Sequence, residues 1–276
     1  MAKHTDKILT YLNKIRNKVK SMHYVEGDVR LEFYQYINSI IDSYFKGHSY
    51  LELLNDIHNK RLINPDELER KVHFFHLLDN NLIDEKRTAY YSDTTRRLIL
   101  DSWTIFELTI TTILLNLFPN EEIEKWLSED YKVIMDLIAD TALDDTAIKK
   151  ISRLLKNNQV IKGHLTHYPV TRRIDKLFKK IRPKYPTNRD LEDDILYLRF
   201  LSKYRNSIIH FNTLYFGKKY EEYIFKGEKF IFRNSKLIIE PKKPMEFELV
   251  MELIDIFKVI EDCTKDIDTI KSIDND

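Results

Sequence analysis

The stretch Tyr204-Arg205-Asn206-Ser207-Ile208-Ile209-His210-Phe211 is the part of this chain that packing alone does not explain. One arginine and one histidine punctuate residues that are otherwise mostly apolar or aromatic. That pair suits cleavage of an RNA phosphodiester without a metal. The 2′-hydroxyl must lose a proton to attack its own phosphate, and the leaving 5′-oxygen must gain one. An imidazole titrating near ~6.5 serves either purpose at neutral pH. A guanidinium grips a phosphate at two points and offsets the charge that builds in the transition state. His210 is therefore the candidate acid/base and Arg205 the phosphate and transition-state group. Asn206, one turn before His210, fixes the ring's tautomer or touches the phosphate. No cofactor and no metal is expected.

Ser202, Asn206 and His210 fall at i, i+4 and i+8, a polar seam along one helix face with Ser202 in a supporting place. Arg205 stands five residues before His210, roughly 140° around an ideal helix and about 7.5 Å along it. One rigid helix does not aim both head groups at one point. Either the long arginine sweeps round, or two copies of the helix face each other across a joint site, the reading that predicts a homodimer through the motif face.

Arg-Asn-x-x-x-His near the C-terminal end of a long helix resembles the signature of the HEPN superfamily, helical bundles found in many prokaryotic ribonuclease toxins and defence proteins. The earlier sequence Trp103-Thr104-Ile105-Phe106-Glu107-Leu108 is similar to the helix that precedes the motif helix in that family, and a small hairpin with a closing helix after the motif matches a common family layout. The resemblance covers roughly residues 90–270 and leaves the first 85 or so unmatched. It implies an all-α bundle, two protomers with their motifs in one cleft, an RNA substrate, endoribonuclease activity in a toxin or antiphage setting, and an antitoxin or defence protein as partner. Arg205, Asn206 and His210 are the matched positions, and Glu107 would support the arginine from the neighbouring helix. The chain departs from the pattern at Asn212: toxins paired with a nucleotidyltransferase antitoxin often carry tyrosine there, and Tyr215 is the nearest one downstream. Some members of the family bind without cleaving, so the alternative is a non-catalytic module that binds RNA, a nucleotide or a protein and dimerises. A third reading makes Arg205 the partner of a buried acid such as Glu107 and His210 a cap at the negative end of its helix.

Arg172, Arg173, Lys176, Lys179 and Lys180 fall within one broad helical face, with Arg182, Lys184 and Tyr185 just beyond. They form the densest positive run in the chain and could guide an RNA backbone; the alternative is an ordinary solvated face. His73/His76 and His164/His167 have a helical spacing that two metal ligands would use, but neither pair has a clear third ligand.

Composition narrows the field. With 45 basic and 44 acidic residues the net charge is +1, so any nucleic-acid binding must be local. There are 5 glycines, no two within nine residues of each other, which excludes the glycine clusters of a P-loop, a dinucleotide fold or a nucleophile elbow. Cys263 is the single cysteine and reads as a small buried apolar residue. The first residues, Met1-Ala-Lys-His-Thr-Asp, carry no apolar run of the kind that heads a secreted chain. The longest apolar run, Leu108 to Phe118, falls well short of the ~20 residues of a membrane span. A cytoplasmic protein with no membrane association is expected.

Helical periodicity predicts a first helix through Ile8–Val19, a second from Asp28 to about Phe45, a short one at Leu51–His58 after a break at Gly47, and one from Pro65 to about Leu82. A long helix follows from Ser92 to Phe118, then shorter ones near Glu121–Leu127, Tyr131–Ala139 and Asp144–Lys156, an amphipathic piece over Thr171–Ile181, and the motif helix from Asp190 to about Asn212. The period then changes: short aromatic and β-branched runs at 220–225, 229–232 and 236–239 predict a hairpin or meander, before a last helix from Glu246 to about Ile270. The expected architecture is an all-α, HEPN-like bundle over residues 87–276 with a hairpin near 220–240, preceded by a helical N-terminal region, 1–86, with the boundary at Lys86-Arg87.

Overall fold

The computed structural model describes residues 2–60, 80–126, 146, 148–149, 168–209, 220–233, 236–239 and 245–271. The helices expected at 65–79, 131–139 and 150–156 lie outside the described residues, as do His73, His76, His164 and His167. The chain is mostly helical: α1 is Ala2–Ser21, α2 Val29–Lys60, α3 Asn80–Leu117, α4 Val170–Ile181, α5 Leu191–Ile209 and α6 Glu246–Thr264. A further helical segment occupies 120–126. Strands β1 (Tyr220–Phe225), β2 (Glu228–Arg233) and β3 (Lys236–Ile239) form an antiparallel sheet in that order.

Three boundaries differ from the expectation. α2 continues through Gly47, because Tyr44, His48 and Leu51 are all buried on either side of it and that burial outweighs the ~1 kcal/mol a helical glycine costs. α3 begins at Asn80 and runs uninterrupted past Lys86-Arg87. α6 stops at Thr264, earlier than its apolar pattern suggests.

The chain divides into two compact units, each drawn from three stretches of sequence: Met1–His23, Leu31–Ile105 and Lys203–Phe257 in one, Tyr24–Arg30, Phe106–Ser202 and Lys258–Asp276 in the other. Met1–His23 and Leu31–Ile105 thus share a unit with Lys203–Phe257. Each unit has its own core.

In the first unit α1 and α2 lie against α6. Phe33 and Phe257 have ring centres 3.7 Å apart, Tyr11 donates to the Met251 carbonyl at 3.1 Å, and Lys7 pairs with Glu248 at 2.5 Å. Ile8, Leu12, Phe33, Ile37, Val250 and Leu253 are fully buried. The β1–β2 turn places Lys226 at φ 48 and Gly227 at φ 80, the two positive angles of a type I′ turn, whose twist matches that of the strands it joins. Lys226 carries the strain of a Cβ there, and Gly227 does not.

A histidine pair sits in the same core. The His4 and His48 rings are 4.9 Å apart at 70°, His4 Nε2 lies 3.4 Å from the Tyr44 hydroxyl, and Phe247 closes the cluster. Burial lowers both imidazole pKa values, and for His48 the neighbouring His4 lowers it further. Glu248 on α6 and Glu52 on α2 pull the other way, while Lys7 and the amino-terminal charge oppose protonation. The unfolded chain therefore binds protons more readily than the folded one. The stabilisation is complete above the ordinary value near ~6.5 and is lost as pH falls through the lowered values. Melting temperature measured from about pH 7.5 down to about pH 5 should fall more steeply for the parent than for His4→Gln/His48→Gln; parallel curves would remove the pair from the account.

In the second unit, helix ends rather than mid-helix stripes carry the distinctive chemistry. Asp28 and Arg30 are both fully buried and paired at 2.6 Å. Arg30 donates Nη1 to the Thr264 carbonyl at 2.7 Å and Nη2 to the Ile267 carbonyl at 2.9 Å, and Asp28 accepts from the Ile270 backbone N–H at 3.1 Å. Terminal helix carbonyls have no partner within their own helix. A guanidinium from elsewhere satisfies the last of them, on Thr264, together with the Ile267 carbonyl just beyond the helix. The Tyr24 ring lies 4.0 Å from the Arg30 guanidinium, and its hydroxyl is pushed up to about 12 by burial and then by Glu261.

Among the described residues one helical stretch, Asp93–Leu117, is long and apolar enough to cross a membrane by length and composition. Of its most apolar window, 56% is buried within the protein, with Trp103, Phe106, Ile110 and Leu114 in core positions, the pattern of a core helix.

Candidate functional site

α5 carries the Arg-Asn motif, and its two ends are fixed by different means. At the start, the Asp190 carboxylate accepts from the backbone N–H groups of Glu192 at 2.8 Å and Asp193 at 3.2 Å, a side-chain cap of the free donors. Glu192, Asp193 and Asp194 add negative charge beside the positive end of the dipole.

The C-terminal turn is braced by the small sheet and by α6. Tyr204 is buried with its ring 5.7 Å from that of Phe230 on β2, and its hydroxyl lies 3.4 Å from Glu246 on α6. Lys203 pairs with Glu221 on β1, and the Ser207 hydroxyl donates to the Tyr204 carbonyl at 2.6 Å. Both β1 and β2 thus hold the motif turn in place.

Arg205 and Asn206 emerge half-buried from this turn. Arg205 donates Nη1 to the Asn206 side-chain oxygen at 3.0 Å, while its buried Nε has no hydrogen-bond partner among the described residues. A buried donor left open costs about 1–3 kcal/mol, and an acceptor supplied from outside would recover it. The Arg205–Asn206 contact joins two of the three motif residues. His210, Asn212 and Tyr215 lie outside the described residues. Ser202, one turn earlier, is 5% exposed and belongs to the buried side of α5. The remaining turn is partly open, and Ile209 at its end is 46% exposed.

Glu107, expected beside Arg205, does different work. It pairs with Arg173 of α4, which also donates to the Thr111 hydroxyl and, through Nε, to the Tyr168 carbonyl at 2.9 Å. The Thr111 hydroxyl in turn donates to the Glu107 backbone carbonyl at 2.7 Å. Arg173 is 2% exposed and held in place at three points. Burial lowers its pKa and Glu107 raises it again. This corrects two expectations: Arg173 is not on an RNA-facing surface, and the acid expected to support the motif arginine, or to neutralise it, is committed to another. The sequence signal that could have separated Arg173 from its neighbours is its place beside Ile174, Leu177, Phe178 and Ile181, the buried face of α4.

The other cations of α4 are differently placed. Arg172, Lys176 and Lys180 lie over the rings of Tyr168, Trp126 and Phe118, at 5.7, 4.8 and 5.0 Å. Lys179 and Lys180 are exposed and Arg172 and Lys176 half-exposed. Beyond the helix, Arg182 pairs with Glu192 and Lys184 with Asp266.

No family model, curated protein or solved structure matches this chain. What it does must be read from its own residues.

Among the described residues no group of three or more His, Cys, Asp or Glu side chains is arranged to hold a metal. A groove of about 420 Å³ between α2 and α3 is lined by Ser39, Ser43, Asp93, Arg97 and Asp101 among others. Cys263 is buried, its thiol pushed up by burial, and it lies 3.4 Å from the Lys184 carbonyl, the setting of an unreactive thiol.

Proposed function

We propose that the protein is a metal-independent endoribonuclease of HEPN type, working as a homodimer in the cytoplasm, in a toxin or antiphage-defence setting. The observation that supports it best is the turn of α5 that carries Arg205: a half-buried guanidinium tied to Asn206, its buried Nε without a partner among the described residues, on a helix end braced by a sheet and by α6. Such a group is held ready for an oxyanion. Arg205 would grip the scissile phosphate and stabilise its developing charge. Asn206 would hold the guanidinium in place through the 3.0 Å contact. His210 would take the 2′-hydroxyl proton or deliver one to the 5′-oxygen.

The test is incubation of purified parent and His210→Ala with total RNA in EDTA. Cleavage that resists the chelator and falls by about 10²–10⁴ in the variant is the expected result. Chelator-sensitive cleavage, or equal cleavage by both proteins, would refute the histidine mechanism. A folded, dimeric parent that cleaves nothing would turn the reading toward a binding module.

A further inference from the structure

The cations of α4 sort into two kinds. Arg173 is structural. Arg172, Lys176 and Lys180 follow one another at four-residue intervals, so they run along one line of the helix with a step of about 6 Å. That step is of the order of the distance between successive phosphates of a nucleic-acid strand.

Each of the three lies over an aromatic ring that is itself buried: Tyr168 is 3% exposed, Trp126 4% and Phe118 9%. A lysine or arginine on an open surface loses much side-chain freedom when it meets a phosphate. Here the rings already hold the head groups in register, so less remains to be lost. Asp175, the acid within the row, is engaged by Arg199 at 2.7 Å. The segment bearing Trp126 also carries exposed Glu121, Glu122 and Glu124. The positive charge is therefore a narrow line, which fits one strand better than the broad phosphate field of a duplex.

We propose that Arg172, Lys176 and Lys180 form a phosphate track for a single strand of RNA. The choice of RNA rests on the ribonuclease reading; the track itself does not.

Binding can be measured apart from cleavage, on the full chain carrying His210→Ala in EDTA, by fluorescence anisotropy of a labelled oligouridylate of about twelve nucleotides. Salt is varied from ~50 to ~200 mM. In that background Lys176→Gln/Lys180→Gln should weaken binding at low salt by at least roughly tenfold. It should also make the slope of log affinity against log salt shallower by about 1.4, the release of two phosphate contacts on a single strand. Lys176→Arg, which keeps the charge over the ring, should bind as the parent does, and unchanged melting curves establish that all variants are folded. An unchanged slope, no binding by the His210→Ala protein, or equally tight and equally track-dependent binding of a duplex would overturn the proposal. Binding along the track with no cleavage by the parent chain would remove the enzyme and leave the track. Cleavage with a salt slope indifferent to Lys176 and Lys180 would do the reverse.

Discussion

Replacing Asp28 with alanine is expected to destabilise the protein by about 3–5 kcal/mol, the usual result of removing one partner from a buried ion pair. The size reflects the charge left behind. Arg30 has no exposed surface, and its carboxylate partner accepts from both Nε, at 2.9 Å, and Nη2, at 2.6 Å. Without it, a full positive charge remains in the core with two backbone carbonyls for company, and the Ile270 N–H loses its acceptor. Asp28→Asn should cost less, since an amide oxygen can still accept. Replacing both members of the pair by apolar residues of similar volume should cost less than the sum of the single changes, because no charge is then stranded. Urea denaturation of these variants, together with the single apolar replacement of Arg30, measures this. Single changes worth under about 1 kcal/mol would show that water reaches the pair.

Arg205→Ala should leave stability close to that of the parent and lower kcat for RNA cleavage by about 10²–10³, the range seen when one preorganised oxyanion donor is removed. The two halves of that statement test different things. Among the described residues Arg205 bonds to Asn206, its own neighbour. Its loss therefore strands no buried acid, unlike the loss of Arg173, which would leave Glu107 and Thr111 without their donor. A merely structural arginine would show itself in the melting curve. Arg205→Lys should recover part of the rate, since a point charge replaces the fork without its two-point grip. Cleavage unchanged in Arg205→Ala would end the case for this residue.

Where apolar side chains repeat at helical intervals, the sequence was readable. α1, α4 and the start of α5 stand where the periodicity and Asp190 put them, and the three short strands fall at the predicted places with their turn at Lys226-Gly227. Less legible was everything decided by a partner far along the chain. Gly47 looks like a break until the burial of Tyr44, His48 and Leu51 around it is known. The last carbonyl of α6, on Thr264, is capped by Arg30, 234 residues away. Asp28 and Arg30 are two residues apart and carry no pattern that marks them as buried.

The basic run of α4 shows the same limit within ten residues. Charge alone gives Arg172 and Arg173 the same reading, yet one is half-exposed above the buried Tyr168 ring and the other is enclosed by Glu107, Thr111 and the Tyr168 carbonyl. Only the phase of the helix separates them.

The way each unit is assembled also bears on the protein's life before it is finished. Lys7 meets Glu248 across 241 positions of sequence, and Arg30 meets Thr264 across 234. Neither unit can close until the chain has been made as far as Glu248 and Thr264, which at ~5–20 residues per second is tens of seconds of synthesis. Throughout that interval Ile8, Leu12, Phe33 and Ile37, all fully buried at the end, have no finished surface to cover them. The nascent chain is thus a natural client for chaperones, and no activity that needs the closed units can begin before α6 has been made.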